Sequence, residues 1–209
     1  MVRTADHAAR RAQIVSAVKA LTLEAGLSHV TVARVAQSAG VSVGLVQHYY
    51  TSKEHLLLDT FHTVCQDVLR RVDAAIVRAE RRHERIEQML VDGLAQFLPL
   101  SKKRRDEALI VRAFAGAALE TAALQPGLRA TIAEHQSRVE QALENGKLCG
   151  EVDAATDSPA EAYALLALTD GFAARLLAER SRAQQAWARA ALAREAARLF
   201  PGDCQQHTT

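Results

Sequence analysis

The sequence is poor in the residues that interrupt helices. Its 209 residues include only 10 glycines and 4 prolines. No run of alternating β-branched residues is long enough to predict a strand. Ala, Leu, Arg and Glu are abundant, and 49% of the residues are apolar, so the chain can bury a substantial core. These proportions predict an all-α fold.

Cysteines are also scarce. Cys65, Cys149 and Cys204 have neither the pairing expected of a disulfide framework nor the C-x-x-C spacing of a metal site. We therefore expect reduced thiols, no bound metal, no cofactor and a cytoplasmic location. No stretch is apolar enough to span a bilayer, and the N-terminal residues lack the apolar core of a signal peptide, so we expect no membrane partner.

The charge excess lies in the first part of the chain. Residues 1–60 carry six Lys or Arg and four acidic residues, whereas basic and acidic residues balance in the remainder. The excess is small and has chance as an alternative explanation. It nevertheless favours an anionic partner for the N-terminal segment.

Helical periodicity and capping signals divide the chain into nine predicted helices. The capping signals include Thr31, Ser42 and Ser52 as N-caps, Gln125-Pro126-Gly127 as a turn, and Ser158 as a cap followed by Pro159. The predicted helices cover 8–25, 32–39, 43–50, 53–79, 83–98, 103–123, 127–146, 159–179 and 182–200. We expect a three-helix segment (1–52), a six-helix segment (53–204) and a frayed tail (205–209).

The second and third predicted helices have the spacing of a helix-turn-helix. Each has about eight residues and cannot be stable alone, so the two must pack closely across the Gly40 turn. Val46 and Tyr49 would face inward, which leaves Ser42, Val43 and Gln47, with His48, on the outer face. Gln pairs well with an adenine edge, and Val contacts a thymine methyl.

The run "TVARVAQSAGVSVGLVQHYYTSKEHLLLDTF", preceded by "LTLEAGL", resembles the N-terminal domain of TetR-type transcriptional regulators, and "GLVQHYYTSKEHLL" is most similar to the BetI-like branch. Tyr50 stands where Phe is usual. The resemblance implies a three-helix DNA-binding domain (1–52) and a six-helix ligand-binding and dimerisation domain (53–204). It also implies a homodimer that binds a double-stranded DNA operator and an unknown small-molecule effector, with Arg3, Arg10 and Arg11 in a non-specific arm. Carried over by position, the DNA-binding residues would be Thr31, Ser42, Val43, Gly44, Leu45, Gln47, His48, Tyr49 and Lys53.

The remaining chain predicts an effector pocket and a dimer face without identifying the ligand. Bulky or polar candidates for the pocket are Phe61, His62, Cys65, Met89, Phe97, Arg112, Phe114 and His135. Small and apolar candidates for the dimer face are Leu165, Leu168, Phe172, Leu176, Trp187, Ala190, Ala191 and Ala197. Each candidate has packing within one subunit as its alternative. The aromatic content of 4% is too low to predict a multi-aromatic cage for a quaternary amine.

Two other functions remain open at this stage. A hydrolase would need a nucleophile such as Cys65 beside His62, but the chain has no nucleophile elbow, phosphate loop or H-E-x-x-H, so we expect no catalytic residues. A helical adaptor would bind protein and never DNA. Steep salt dependence of binding to random duplex DNA would separate a regulator from an adaptor.

Overall fold

The computed structural model describes residues 2–179 and 181–204, with side chains from His7 onward. The predicted tail, 205–209, and the side chain of Arg3 lie outside this part of the chain. Within the described residues the fold is all-α, as predicted. Its helices are α1 (Val2–Ala25), α2 (Val32–Ala39), α3 (Val43–Tyr49), α4 (Lys53–Glu80), α5 (Ile86–Leu94), α6 (Lys102–Glu120), α7 (Gln125–Cys149), α8 (Ser158–Ala178) and α9 (Arg182–Leu199). None of these helices is both long and apolar enough to cross a membrane.

Contacts divide the described residues into two compact units. Unit 1 comprises the residues up to Gln66 together with Leu109–Ala130, and unit 2 comprises Asp67–Ala108 together with the residues from Thr131 onward. Unit 1 contains the described part of the predicted DNA-binding segment and extends beyond residue 52 into α4. Helix α4 contributes residues to both units.

Unit 1 packs around the predicted apolar stripe of α1. Ile14, Val18 and Leu21 lie on one face of that helix and are buried against Val35 and Val46 of the next two helices. The side-chain amide of α1 residue Gln13 donates to the Ala39 carbonyl at 2.6 Å. These contacts hold two short helices that could not persist alone.

The predicted turn before α7 is wrong. Gln125-Pro126-Gly127 does not interrupt the helix but forms the first turn of α7, where proline is tolerated because its missing N–H has no intrahelical acceptor. A Cβ on Gly127 would lie 2.4 Å from Leu58 Cδ2, so glycine permits the close approach of α4 here.

The predicted cap of α8 is also misplaced by one residue. Asp157, not Ser158, is the N-cap, and its carboxylate accepts from the Ala160 N–H at 3.2 Å. Ser158 is buried and its hydroxyl donates to Glu144 at 2.5 Å. Ser158 therefore ties α8 to α7, and Pro159 falls within the first helical turn.

Unit 2 has a separate apolar core in which α5, α7, α8 and α9 meet. Its members are mostly leucine and alanine, including Leu90, Leu94, Leu143, Leu165, Leu176, Ala188 and Leu192. Helix α5 is shorter than the predicted 83–98, because the chain turns at Ala95 and leaves the helix before Pro99.

Candidate DNA interface and effector cavity

The turn between α2 and α3 is built from local capping interactions. Thr31 accepts from the Arg34 N–H at 3.3 Å, and Ser42 accepts from the Leu45 N–H at 3.1 Å. Gly40 lies between them with φ 64°, in the left-handed region that favours glycine. The Val41 N–H donates to the Ala36 carbonyl at 3.0 Å and closes the end of α2. These bonds fix where α3 begins.

Helix α3 presents a continuous exposed face. Ser42, Val43, Gly44, Gln47 and His48 are all exposed, whereas Val46 is fully buried. Leu45, Tyr49 and Lys53 are half-buried, and Thr31 is exposed at the start of α2. All nine sequence-predicted DNA-binding residues thus lie in unit 1, on α3 or at the starts of α2, α3 and α4.

Tyr50 belongs to a buried network that sequence reasoning missed. Its hydroxyl donates to Asp59 Oδ2 at 2.6 Å, and the Arg11 Nε donates to the same oxygen at 2.8 Å. A second, shorter bond joins Arg11 to Asp59 Oδ1. The predicted non-specific role of Arg11 thus competes with a structural one, since its guanidinium is engaged with Asp59. The network joins α1, the end of α3 and α4 through residues up to 48 positions apart.

The charges of this network are fixed by the contacts. Burial alone would raise the pKa of Asp59, but the bonds from Arg11 and Tyr50 outweigh it and hold that pKa below its ordinary value. Burial and the neighbouring carboxylate raise the pKa of Tyr50, so its hydroxyl remains a donor. Asp59 is therefore an anion at neutral pH, and the three helices are joined by charge-assisted bonds.

The predicted effector residues fall into two groups. Phe61, Cys65 and Phe114 are buried in the core of unit 1, where the rings of Phe61 and Phe114 stack with centroids 4.0 Å apart. His62 and Arg112 are exposed in the same unit. None of these five residues lines the large cavity of unit 2, because α4 and α6 each place part of their length in unit 1.

Unit 2 contains a cavity of about 550 Å³, within the usual range for small-molecule sites. Met89, Phe97 and His135 line it, as three of the eight effector predictions. The apolar lining missed by sequence reasoning comes from α4, α5, α7 and α8 and includes Leu69, Val72, Ile76, Ile86, Leu90, Leu94, Val139, Ala142 and Leu166.

The polar lining residues differ in where they lie. Glu80, Gln141 and Asn145 are exposed, and the Gln141 side chain donates to Asn145 at 2.9 Å. Arg138 is exposed and pairs with Asp73 at 2.7 Å. These four side chains are therefore exposed to solvent, and Arg138, Gln141 and Asn145 already have partners outside the cavity or on its rim.

His135 differs from these four side chains because a polar atom of its ring is buried. Its Nε2 atom is buried and has no hydrogen-bond partner among the described residues. Its ring meets that of Phe97 edge-on, with centroids 4.9 Å apart. Burial lowers the pKa of His135, so the imidazole is neutral at neutral pH. His135 lines the cavity, so the cavity wall contains a neutral polar atom without a hydrogen-bond partner.

The α5 wall of the cavity is held from outside the helix. Arg85 precedes α5 without a side-chain cap, and Glu151 accepts instead from the Ile86 and Glu87 N–H groups at 3.2 and 3.3 Å. Arg85 lies 3.4 Å from the Glu151 carboxylate and donates to the carbonyls of Phe200 and Gly202. The C-terminal segment is thereby fastened behind the cavity wall.

Glu151 also groups with two thiols. The ligand atoms of Cys149, Glu151 and Cys204 all lie within 4.8 Å of one another. Arg85 already compensates the Glu151 charge, which opposes binding of a cation there. Burial raises the pKa of Cys149 to about 11, so its thiol is protonated at neutral pH. Cys149 is therefore a buried, unreactive thiol.

The predicted dimer residues divide between core and surface. Leu165 and Leu176 are buried within the core of unit 2, as the single-subunit alternative requires. Leu168, Phe172 and Ala191 are half-buried, whereas Trp187, Ala190 and Ala197 are exposed. Further exposed residues extend this surface at helical spacing on α8 and α9: Tyr163, Ala167, Gly171, Ala183, Ala186 and Ala193. Small side chains at these intervals allow a second helix pair to approach closely.

Two family profiles match the chain. Residues 14–60 match "Bacterial regulatory proteins, tetR family", and residues 83–201 match "BetI-type transcriptional repressor, C-terminal". The second match covers more than half of the chain. The two matches together include the described helix-turn-helix and most of unit 2.

Individual relatives match over shorter lengths. The transcriptional regulator BetI of Brucella canis is 38% identical over 77 residues, which cover 37% of this chain and 39% of the relative. The transcriptional regulator PksA of Bacillus subtilis is 30% identical over 92 residues, covering 44% and 45%. The chain thus matches less than half the length of these curated relatives.

Solved structures show the same fold over most of the chain. A transcriptional regulator from Rhodococcus sp. Rha1 has a TM-score of 0.77 at 24% identity, covering 90% of this chain and 95% of its own. A transcriptional regulator from Saccharomonospora viridis, solved in complex with choline, has a TM-score of 0.68 at 19% identity, covering 87% and 92%.

Proposed function

Because the chain belongs to the TetR family of bacterial regulatory proteins, we propose that it is a transcriptional repressor. It binds a palindromic operator as a homodimer and is released by a small-molecule effector. The observation that carries the DNA-binding part is the exposed face of α3, fixed in register by the Thr31 and Ser42 caps and the Gly40 turn. A helix held in this way fits the major groove.

The α3 face separates into base and phosphate contacts. Gln47 reads an adenine edge and Val43 contacts a thymine methyl, because both are exposed and neither is needed for the core. Gly44 and Leu45 lie beside these two and permit close approach. The hydroxyl, imidazole and ammonium groups of Thr31, Ser42, His48, Tyr49 and Lys53 bind phosphates and position the helix.

Dimerisation follows from the small area that one helix can read. A single α3 contacts only a few base pairs, so useful specificity needs two copies bound at once. The exposed surface of α8 and α9, centred on Trp187 and Ala190, supports a four-helix interface between two copies. Trp187 is 67% exposed in the single chain, an unusual cost for a large aromatic unless a partner covers it.

Release by an effector rests on the unit 2 cavity. The effector binds better in a conformation whose two α3 helices are out of register with adjacent major grooves. Helix α4 connects the two events, because it supplies Leu69, Val72 and Ile76 to the cavity and Asp59 to the network behind α3. One structural neighbour was solved with choline, which supports a small-molecule site in this fold but does not determine the ligand here.

Selection of bound duplexes from a random pool tests the proposal. We expect recovered sites with two-fold symmetry and half-sites separated by about one helical turn or a multiple of it. Recovery of no sequence above background at low ionic strength would overturn DNA binding. Transcription from a promoter overlapping the selected site should fall when the protein is added, whereas a rise would make it an activator.

A single substitution tests the assignment of α3. Gln47→Ala should relax base preference at one position of each half-site and leave binding to random duplex unchanged. Gln66→Ala, also at an exposed glutamine but on α4, is the matched control and should keep the parent preference. An equal loss of affinity for all sequences in Gln47→Ala would contradict a base-reading role.

A further inference from the structure

The interior of the unit 2 cavity carries no fixed charge among the described residues. Its buried or half-buried lining is mostly aliphatic, with Leu69, Val72, Leu94 and Val139 from three different parts of the chain. Phe97 is the aromatic residue of the described lining. A single ring cannot enclose a cation as an aromatic cage does.

The charged groups near the cavity are already balanced or hydrated. Glu80 is exposed, and Arg138 is paired with Asp73 and Glu134 at 2.7 and 3.7 Å. A cation moved into the aliphatic interior would lose its hydration without gaining a buried counter-charge. An anion would meet the same penalty, because the Arg138 guanidinium is held by acidic partners.

The unpartnered Nε2 of His135 indicates that a bound ligand could supply a hydrogen bond there. A buried polar atom without a hydrogen bond is costly, so an occupant that supplies the bond gains affinity relative to one that does not. The Phe97 ring packs edge-on against His135, and both residues line the cavity.

We infer that the effector is an uncharged, largely apolar molecule that carries one hydroxyl or carbonyl oxygen, which hydrogen-bonds His135 Nε2. This inference rests on the proposed effector role of the cavity. It sets this chain apart from the structural neighbour solved with choline, whose ligand is a quaternary amine.

Three probes that have similar alkyl tails and differ in charge test the inference directly. Octan-1-ol, octyltrimethylammonium and octanoate are titrated into the full chain by calorimetry, without DNA. We expect the alcohol to bind at least about ten-fold more tightly than either ion, since each ion must be desolvated without a partner. The inference is overturned when either ion binds as tightly as the alcohol, or when the alcohol does not bind up to its solubility limit.

Two variants locate the bound alcohol. His135→Leu replaces the imidazole with an apolar side chain of similar reach and removes Nε2, and should weaken alcohol binding about 3- to 10-fold. His29→Leu, at an exposed histidine of unit 1, is the matched control and should bind as the parent does. Equal affinities in His135→Leu and the parent would remove His135 from the site.

Filling the cavity provides a second check that does not depend on His135. Ala142→Phe adds a ring at a half-buried lining position, and Met89→Trp does so from α5, so each folded variant should weaken alcohol binding and the double variant should weaken it most. Undiminished binding in the folded double variant would place the ligand elsewhere.

The proposed function can fail separately from this inference. If the alcohol binds as described but leaves the affinity for the selected operator unchanged, the ligand class stands and the release step is wrong.

Discussion

Removal of one hydroxyl group should measurably destabilise unit 1. Tyr50→Phe keeps the buried ring and deletes only the donor to Asp59 Oδ2, 2.6 Å away. Both residues are buried, with 4% and 7% exposure. Solvent therefore cannot replace the lost bond easily, and the cost should be visible in the free energy of unfolding.

The magnitude follows from the chemistry of the bond. A hydrogen bond to a charged group contributes about 1.5–3 kcal/mol. Asp59 keeps its bonds from Arg11 in the variant, so we expect the lower part of that range, about 1.5–2 kcal/mol. Arg11 is 57% exposed, so its charge is screened and Arg11→Ala should cost less, about 1 kcal/mol or below.

Urea unfolding of the full chain at pH 7 and fixed protein concentration, followed by far-UV circular dichroism, measures these differences. Tyr49→Phe removes a hydroxyl from the adjacent half-buried ring and should change stability by less than about 0.5 kcal/mol. A double-mutant cycle with Asp59→Ala should give a coupling of about 1–2 kcal/mol with Tyr50→Phe. A cost below about 0.5 kcal/mol for Tyr50→Phe, or additive effects in the cycle, would refute the reasoning.

The same network predicts a pH dependence. The pKa of Asp59 in the folded chain lies below its ordinary value of 3.8, so its stabilisation is present above about pH 4 and is lost as pH falls through the lower folded value. Asp59→Asn should therefore lose less stability than the parent between pH 5 and the acid transition. Parallel curves for the two proteins would show that Asp59 is not the titrating group.

Three further predictions address the interface, the turn and the dimer. Lys53→Ala should weaken binding to every duplex and lower the salt slope by about 1 per contacting subunit, and an unchanged slope would remove it from the phosphate contacts. Gly40→Ala should lower the unfolding free energy by about 1–2 kcal/mol, because the left-handed φ penalises a Cβ although the space around it is open, and an unchanged urea midpoint would contradict this. Trp187→Glu should give a folded monomer by light scattering, whereas a dimer of undiminished affinity would exclude the α8–α9 surface.

Local signals predicted the elements around the candidate DNA interface well. The bounds of α2 match the prediction because Thr31 and Gly40 are adjacent to it and act through hydrogen bonds within four residues. The exposed face of α3 follows from helical periodicity once its start is fixed at Ser42. Its use in reading DNA is still a prediction.

Long-range packing was beyond the sequence pattern. In the sequence, Asp59 is indistinguishable from the other polar residues of α4. No neighbouring residue indicates that Arg11, 48 positions earlier, hydrogen-bonds to it. For the same reason, the sequence could not show that Phe61 and Phe114 lie in the core of unit 1 whereas Phe97 lines the cavity of unit 2. An apolar residue in the sequence predicts that the side chain is buried, but the helices against which it packs depend on the arrangement of the whole chain.

The support of α5 by distant residues has a consequence for the order in which the protein folds. With nine residues, α5 is too short to persist by itself. The Ile86 N–H at its start donates to Glu151, 65 positions later in the chain. The Arg85 side chain donates to carbonyl groups 115 and 117 positions away. Closing such long loops is entropically costly and slow. The amides of 86–94 should consequently be among the last to gain protection from hydrogen exchange during refolding. A nascent chain that ends before residue 151 would therefore have an incomplete cavity wall.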